Sequence, residues 1–364
     1  MRHKNKVILD KSIKNTAIKA AEKKPAIKIS LKNRLIIICA CIAVVIAVSV
    51  LLFTNPIKSV PDNITITVAW NPGSTIDDIV RVLIREMDVP VTLHNVTGAN
   101  GANGANTVYR SMSNGENILA TNLSAFVTSE AMGFADNSHR DWESWLLAFV
   151  PAVIVVANDS PYTAINELIN AIRENPGAIR LADEGYGTVS YVAAELFSSQ
   201  VVLELNHQSF SGSNQVIEAL FDYNADFAIL LSAQAADYIR SGDLRALGVF
   251  DINDFSFDSD YSIPSIADLD NRLSAFLPFG EYFGLFVPKN TPSAQFNSLD
   301  SIIIEAVSSE SFDKFCKEAG LKAITPDRSR NNSIVEHICS VMNWTLYNAG
   351  FLPANPNTLG IPKP

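Results

Sequence analysis

Cysteine is scarce in this chain of 364 residues: there are four, and two of them, Cys39 and Cys41, fall inside one apolar run. That leaves Cys316 and Cys339 for the body of the protein, too few for a disulfide-stapled scaffold or a zinc ribbon. They either form one disulfide or stay as two buried thiols. Charge is sparse too, 18% of residues against roughly a quarter in ordinary globular proteins. The chain contains no HExxH, CxxC or GxSxG, so zincin, dithiol and nucleophile-elbow chemistry lack their usual carriers. Of five histidines, His3 precedes the apolar run, and His94, His139, His207 and His337 lie far apart in sequence. No catalytic residue, metal ligand or cofactor is expected from this inventory.

Apolar residues are plentiful, 48% of the chain, and they concentrate in residues 35–53, nineteen without a charge. A helix of that length rises roughly 28 Å, about the thickness of a bilayer's hydrocarbon core, so one transmembrane helix is expected there. Residues 1–34 hold eleven Lys or Arg against Asp10 and Glu22, a net +9, which leaves −19 for everything after Arg34. Positive charge stays on the cytoplasmic side, so the main body is expected to be extracytoplasmic. Its acidity would repel a polyanion and excludes nucleic acid as a partner. An uncleaved signal anchor is preferred over two alternatives: a cleaved signal peptide, which wants small residues near 49–53, and a lipid anchor on Cys39 or Cys41.

Residues 54–62 form a linker that Pro56 and Pro61 keep from continuing the helix. Beyond it, strand-like and helix-like segments alternate. Apolar, β-branched runs stand at 64–70, 91–96, 117–122, 152–158, 179–183, 203–210, 226–231, 244–250 and 283–288. Ile76, Ile79, Val80, Leu83, Ile84 and Met87 recur at the spacing of one helix face, and 164–174, 190–199, 213–221 and 297–318 read similarly. This alternation predicts an α/β architecture with mainly parallel sheets. Prolines at 161, 288 and 292 mark two strand ends. They divide the body into a discontinuous domain 1, residues 62–158 and 283–364, and a domain 2, residues 159–282, with a cleft between; a single long sheet is the alternative. Residues 355–364, rich in Pro, Gly and Asn, read as a frayed tail.

Three strand-to-helix turns share one design. The first carries Trp70, Pro72, Gly73, Ser74, Thr75 and Asp77, the second Gly185, Tyr186, Gly187, Thr188 and Ser190, and the third Phe210, Gly212 and Ser213. Glycine permits the tight, positive-φ conformations that expose backbone N–H groups, and Ser74 or Thr75, Thr188 or Ser190, and Ser213 are candidate N-caps. Helix N-termini of this kind hold anions. None of the three turns contains Lys or Arg, so a carboxylate would be held by N–H and hydroxyl groups alone. The plainer reading is that helices simply need caps: Ser74 and Asp77 have the spacing of a capping box, and Trp70 is either a pocket wall or ordinary core. The repeat Gly-Ala-Asn at 98–106 lacks a following Lys and meets neither phosphate-loop spacing. It reads as a flexible loop entering a helix at 107–112.

Taken in order, the motifs resemble the tripartite tricarboxylate transporter substrate-binding family, the Bug-type extracytoplasmic solute receptors. The resemblance covers nearly all of residues 63–353. It rests on Pro72, Gly73, Ser74, Thr75 and Asp77 with Arg81, on Asn95, Gly98, Ala99 and Gly101, and on Asn175, Pro176 and Gly177. Gly185 to Thr188 before Glu195, Phe210 to Ser213, Ile239 to Leu247, and Phe283 to Pro288 complete it. The resemblance implies a two-domain, periplasmic-binding-protein-like (type II) clamshell that closes on a small organic acid without chemistry, and membrane subunits of a tripartite transporter as partners. It also implies that the ligand's carboxylate is gripped by residues 70–77, 185–190 and 210–213. An alternative role is a ligand-sensing module that signals to a membrane sensor protein. Three departures bear on the ligand: Ser74 replaces the family's second Gly, Tyr191 stands where many relatives have His, and Asp183 and Glu184 flank a site expected to hold an anion. A zwitterion or a neutral ligand would fit that acidity.

Overall fold

The computed structural model describes residues 63–135, 137–256 and 261–364. The basic segment 1–34, the expected membrane span 35–53 and the linker 54–62 lie outside the described residues. Among the described residues, no helix is long and apolar enough to cross a membrane.

In chain order the elements are β1 (Ile64–Val68), α1 (Thr75–Glu86), β2 (Val91–Asn95), α2 (Ala102–Tyr109), β3 (Asn117–Asn122), α3 (Leu123–Thr128) and the long β4 (Trp142–Ala157). Then come α4 (Ile165–Glu174), β5 (Arg180–Asp183), α5 (Val189–Val201), β6 (Asn206–Ser209), α6 (Ser213–Phe221), β7 (Phe227–Leu231), α7 (Ser232–Ser241) and β8 (Leu244–Val249). Short β9 (Phe255–Ser256) and β10 (Ser262–Ile263) pair with each other. The chain closes with α8 (Asn271–Ser274), β11 (Gly280–Pro288), α9 (Ser293–Val307), α10 (Glu310–Glu318), β12 (Lys322–Ala323) and α11 (Arg328–Asn348).

The α/β alternation is as expected, but the sheet is mixed, not mainly parallel. Its spine is β2-β1-β3-β11-β4-β7-β5-β6. β1, β2 and β3 are parallel, as are β5, β6 and β7, whereas β11, β4 and β8 run antiparallel to their neighbours. The difference comes from β4. Its sixteen residues are buried on both faces up to Val156, so no alternation betrays residues 142–151 as strand. Residues 142–151 pair with β11, and residues 152–157 pair with β7 and β8. Pro151 sits at the changeover, where its missing N–H disrupts least. Opposite it, Gly280 is required: a Cβ there would lie 2.1 Å from the Val150 carbonyl oxygen and 2.7 Å from Pro151 Cα.

Register decides what faces the middle of β4. Asn122, the last residue of β3, pairs with Phe283, three residues along β11 from Gly280, which pairs with Pro151. Leu231, the last residue of β7, pairs with Ala152. The carboxyl ends of both parallel sets therefore point at the same changeover from opposite sides, and the turns that follow them face one another across it.

Packing follows the periodicities. In α1, Ile76, Ile79, Val80 and Leu83 are buried against β1 and β3, Asp77 and Asp78 sit in the first turn and Arg85 in the last. Three local expectations are corrected. The Gly-Ala-Asn repeat is not a loop: α2 starts at Ala102, with Gly101 at its N-cap (φ 86°). Gly104 lies within the helix because a Cβ would come 2.8 Å from Ala69 Cβ. The single helix over 297–318 is two, broken at Ser308 and restarted by Ser309, whose hydroxyl accepts from the Phe312 N–H. The tail is docked rather than frayed, since Trp344 Nε1 and Ser340 Oγ both donate to the Pro362 carbonyl (2.8 and 2.7 Å) and Ile361 is buried. α11, not anticipated from the sequence, packs on α3, α5 and β4.

Candidate functional site

The first turn is built around a buried carboxylate. Gly73 takes φ 79°, which turns its N–H onto Asp77 Oδ2 at 2.9 Å. Asp77 has no exposed surface and also accepts from Arg81 Nε (2.7 Å), Arg81 Nη2 (3.2 Å) and Asn95 Nδ2 (2.9 Å). Burial alone would raise its pKa, but these hydrogen bonds hold the carboxyl below the usual range. Asp77 therefore braces the turn from inside. It does not form the capping box: Ser74 occupies the N-cap of α1, its side chain makes no cap bond, and its buried Oγ has no partner. Trp70 donates from Nε1 to Thr121 Oγ1 at 3.2 Å, and its carbonyl accepts from Asn95. Pro72, Gly73 and Thr75 are exposed.

The second and third turns are joined by acids. Asp183 is fully buried at the end of β5, and takes hydrogen bonds from the Gly185 N–H (2.7 Å) and Ser209 Oγ (2.9 Å), with His207 Nδ1 at 2.6 Å. Glu184, half-buried, accepts from Gln234 Nε2 (3.1 Å), Ser190 Oγ (3.5 Å) and the Ser213 N–H. Burial pushes its carboxyl up against those bonds, and the neighbouring Asp183 adds to the rise. Thr188 is the N-cap of α5 and accepts from the Tyr191 N–H at 3.2 Å. The third N-cap is Gly212 (φ 115°), not Ser213, which is the first helical residue. Phe210 is half-buried against the core beside β7 and donates its N–H to the Asp183 carbonyl. Tyr186 is exposed and stacks on Phe351 with 3.9 Å between ring centroids.

The halves approach each other at Gly187, where an added Cβ would lie 3.8 Å from Met132 Cε. A third buried acid stands at the changeover: Glu281 of β11 accepts from the Ser124 N–H (3.1 Å) and from its hydroxyl, at the start of α3. Sequence reasoning missed Glu281, Gln234, Asn95 and Met132 as parts of this region; Asn95 alone carried a signal, its place in the Asn-x-x-Gly-Ala-x-Gly run.

Other groups that sequence alone left open are accounted for. Cys316 and Cys339 are both free and buried, and burial pushes each thiol up to about 12. Cys339 Sγ lies 3.6 Å from His139 Nδ1, and His139 Nε2 lies 3.1 Å from Glu336. That order of residue types suits nucleophilic catalysis, but burial also lowers the imidazole pKa, so the geometry supports neither a thiolate nor its imidazolium partner. A cavity of about 480 Å³ nearby holds paired charges, Arg328 with Glu143 and Arg140 with Glu336.

With the geometry in place, likeness to known proteins can be read. The chain is 30% identical over 268 residues to the UPF0065 protein of a tcbD–tcbE intergenic region in a Pseudomonas species, covering 71% of this chain and 78% of that one. In fold it is similar to a TctC solute-binding protein from Polaromonas (TM-score 0.69, 19% identity, 79% of this chain and 98% of that one). It is also similar to MatC of Rhodopseudomonas palustris with bound malate (TM-score 0.60, 19% identity, 79% and 99%). Residues 78–341 match the model of the tripartite tricarboxylate transporter family receptor, and this chain belongs to that family of extracytoplasmic substrate-binding receptors.

Proposed function

We propose that this protein captures a small carboxylate-bearing solute between the two halves of its sheet and delivers it to the membrane subunits of a tripartite tricarboxylate-type transporter. The observation that carries this reading is the register of β4, which brings the turns after β1, β5 and β6 to face one changeover. Ligands of open α/β sheets bind outside strand carboxyl ends in this way. In this reading residues 62–158 with 283–364 form one lobe, residues 159–282 the other, and β4 and β11 carry the hinge. The residues offered to the solute are Trp70, Pro72, Gly73, Ser74, Thr75, Gly185, Tyr186, Gly187, Thr188, Ser190, Phe210, Gly212 and Ser213, with Asp77 bracing the first turn. Function is closure: the solute bridges the lobes and selects the closed state by its differential affinity. In this reading the apolar run 35–53 tethers the receptor to the membrane.

The test is a thermal-shift screen of the full chain in mild detergent against mono-, di- and tricarboxylates and amino acids. A solute at a hundred times its Kd stabilises the native state by about 2.7 kcal/mol. A saturable shift that Gly73→Asp abolishes supports the receptor reading, because that side chain places a negative charge at the N-terminus of α1. A chain that no small solute stabilises refutes it.

A further inference from the structure

Three strands meet in one row beside the changeover. Phe149 of β4 pairs with Tyr282 of β11 on one side and with Lys322 of β12 on the other, and residues directly opposite one another project from the same face of a sheet. The Phe149 and Tyr282 rings stack with 4.4 Å between centroids. This row lines a cavity of about 400 Å³ together with Ile324, with Arg330 and Ile334 of α11, and with Asp251 and Pro278 from the segment between β8 and β11. Small-molecule sites run from roughly 300 to 1,000 Å³. No residue of the turns at 70–77, 185–190 and 210–213 lines it, so it is separate from the cleft that those turns face.

The walls of the cavity are mostly apolar and its charges few. Asp251 is 4% exposed and satisfied: Oδ1 accepts the Ile252 N–H at 2.7 Å, and Oδ2 lies 3.4 Å from Lys322 Nζ. Two donors remain. Tyr282 is 3% exposed, yet among the described residues its hydroxyl makes no hydrogen bond, and the oxygen is not sealed from open space, so it faces the cavity. Asp251 and Arg330 both act on this hydroxyl electrostatically, and burial pushes its pKa up, so it stays a donor. Arg330 is exposed in the first turn of α11, where a cation opposes the helix dipole. Among the described residues its guanidinium has no hydrogen-bond or ion-pair partner. Lys322 and Arg330 against Asp251 leave the lining with a net charge of +1.

We propose that this cavity is a second ligand site, one that takes a monocarboxylate with a compact apolar body. The carboxylate accepts from the Arg330 guanidinium and the Tyr282 hydroxyl, and the body lies against Phe149, Ile324, Ile334 and Pro278. A dianion exceeds the one uncompensated charge, and an amine finds Asp251 already paired with Lys322. The inference goes beyond the receptor reading and does not depend on it, since the cavity shares no residue with the three turns.

The experiment is calorimetric titration of the full chain in mild detergent with benzoate, phenylacetate and cyclohexanecarboxylate, and with benzamide as the neutral isostere of benzoate. At least one of the acids is expected to bind saturably to the wild type and equally to Gly73→Asp, which alters only the cleft, and benzamide to bind about tenfold or more weakly than benzoate. Arg330→Ala is expected to weaken the acid about tenfold and Tyr282→Phe about threefold, while Arg330→Lys keeps part of the affinity. Arg330 is exposed, so its variants fold whether or not Tyr282→Phe does, and melting transitions check each protein. If none of the three acids binds, the inference is overturned. It is overturned equally by binding that folded Arg330→Ala leaves intact, or by benzamide binding as tightly as benzoate. Binding that Gly73→Asp abolishes belongs to the cleft: it overturns this inference and supports the receptor reading. Binding that survives Gly73→Asp and is lost in Arg330→Ala supports the second site even where the cleft takes no solute.

Discussion

Glu281 makes stability depend on pH in a direction opposite to that of most carboxylates. It is 4% exposed, and burial pushes its carboxyl from an ordinary 4.5 up to about 7 despite hydrogen bonds from Ser124 and the Tyr282 N–H. Below pH 4.5 the group is protonated in both folded and unfolded chains. Between 4.5 and 7 the unfolded chain releases this proton while the folded chain keeps it, so stability falls as pH rises, by about 1.4 kcal/mol per pH unit. The total is roughly 3 kcal/mol, complete above pH 7. Glu281→Gln keeps a carbonyl for the Ser124 N–H and an amide that can donate to the Ser124 hydroxyl, without the ionisation. Relative to wild type the variant should gain about 3 kcal/mol between pH 4.5 and 8. For roughly 300 ordered residues that is a relative rise of about 5 °C in Tm. Urea or thermal melts of both proteins across this range, read as a difference, cancel the other titrating groups. A difference that stays constant with pH, or that moves in the variant's disfavour as pH rises, refutes the reasoning.

Three further outcomes are expected. Asp77→Asn removes the charge shared by Gly73, Arg81 and Asn95, and should cost about 2 kcal/mol in urea unfolding together with any binding at the first turn; a loss below about 0.5 kcal/mol contradicts the bracing role. Gly104→Ala puts a Cβ 2.8 Å from Ala69 Cβ and 2.9 Å from its Cα, so it should destabilise by about 1–3 kcal/mol although alanine favours helix; a variant as stable as wild type shows that α2 can move away. In a chain whose Cys39 and Cys41 are replaced by Ser, Ellman's reagent at pH 8 should label neither Cys316 nor Cys339 until urea unfolds the protein, because both thiols are buried and raised to about 12; prompt labelling of the native state contradicts this.

Short segments with a helical stripe or a compact β-branched run were legible in the sequence. The Ile76–Leu83 stripe located α1, and β-branched runs located β1, β2, β3 and β7 to within a residue or two, although β1, β3 and β7 are buried on both faces. Longer elements without a compact run or an unbroken stripe were not. Residues 142–151 are buried on both sides and carry no period of two, and their recognition would have shown that the sheet is mixed. In α11 the buried positions include Asn331, Ser340 and Asn343, whose amides and hydroxyl are bonded to backbone carbonyls of other segments, so the apolar stripe is interrupted by residues that belong to the core. At the site the turns were visible from Gly beside Ser or Thr. The partners of Asp77, Asp183 and Glu184 were not, because Asn95, His207, Ser209 and Gln234 reach them only through tertiary contact.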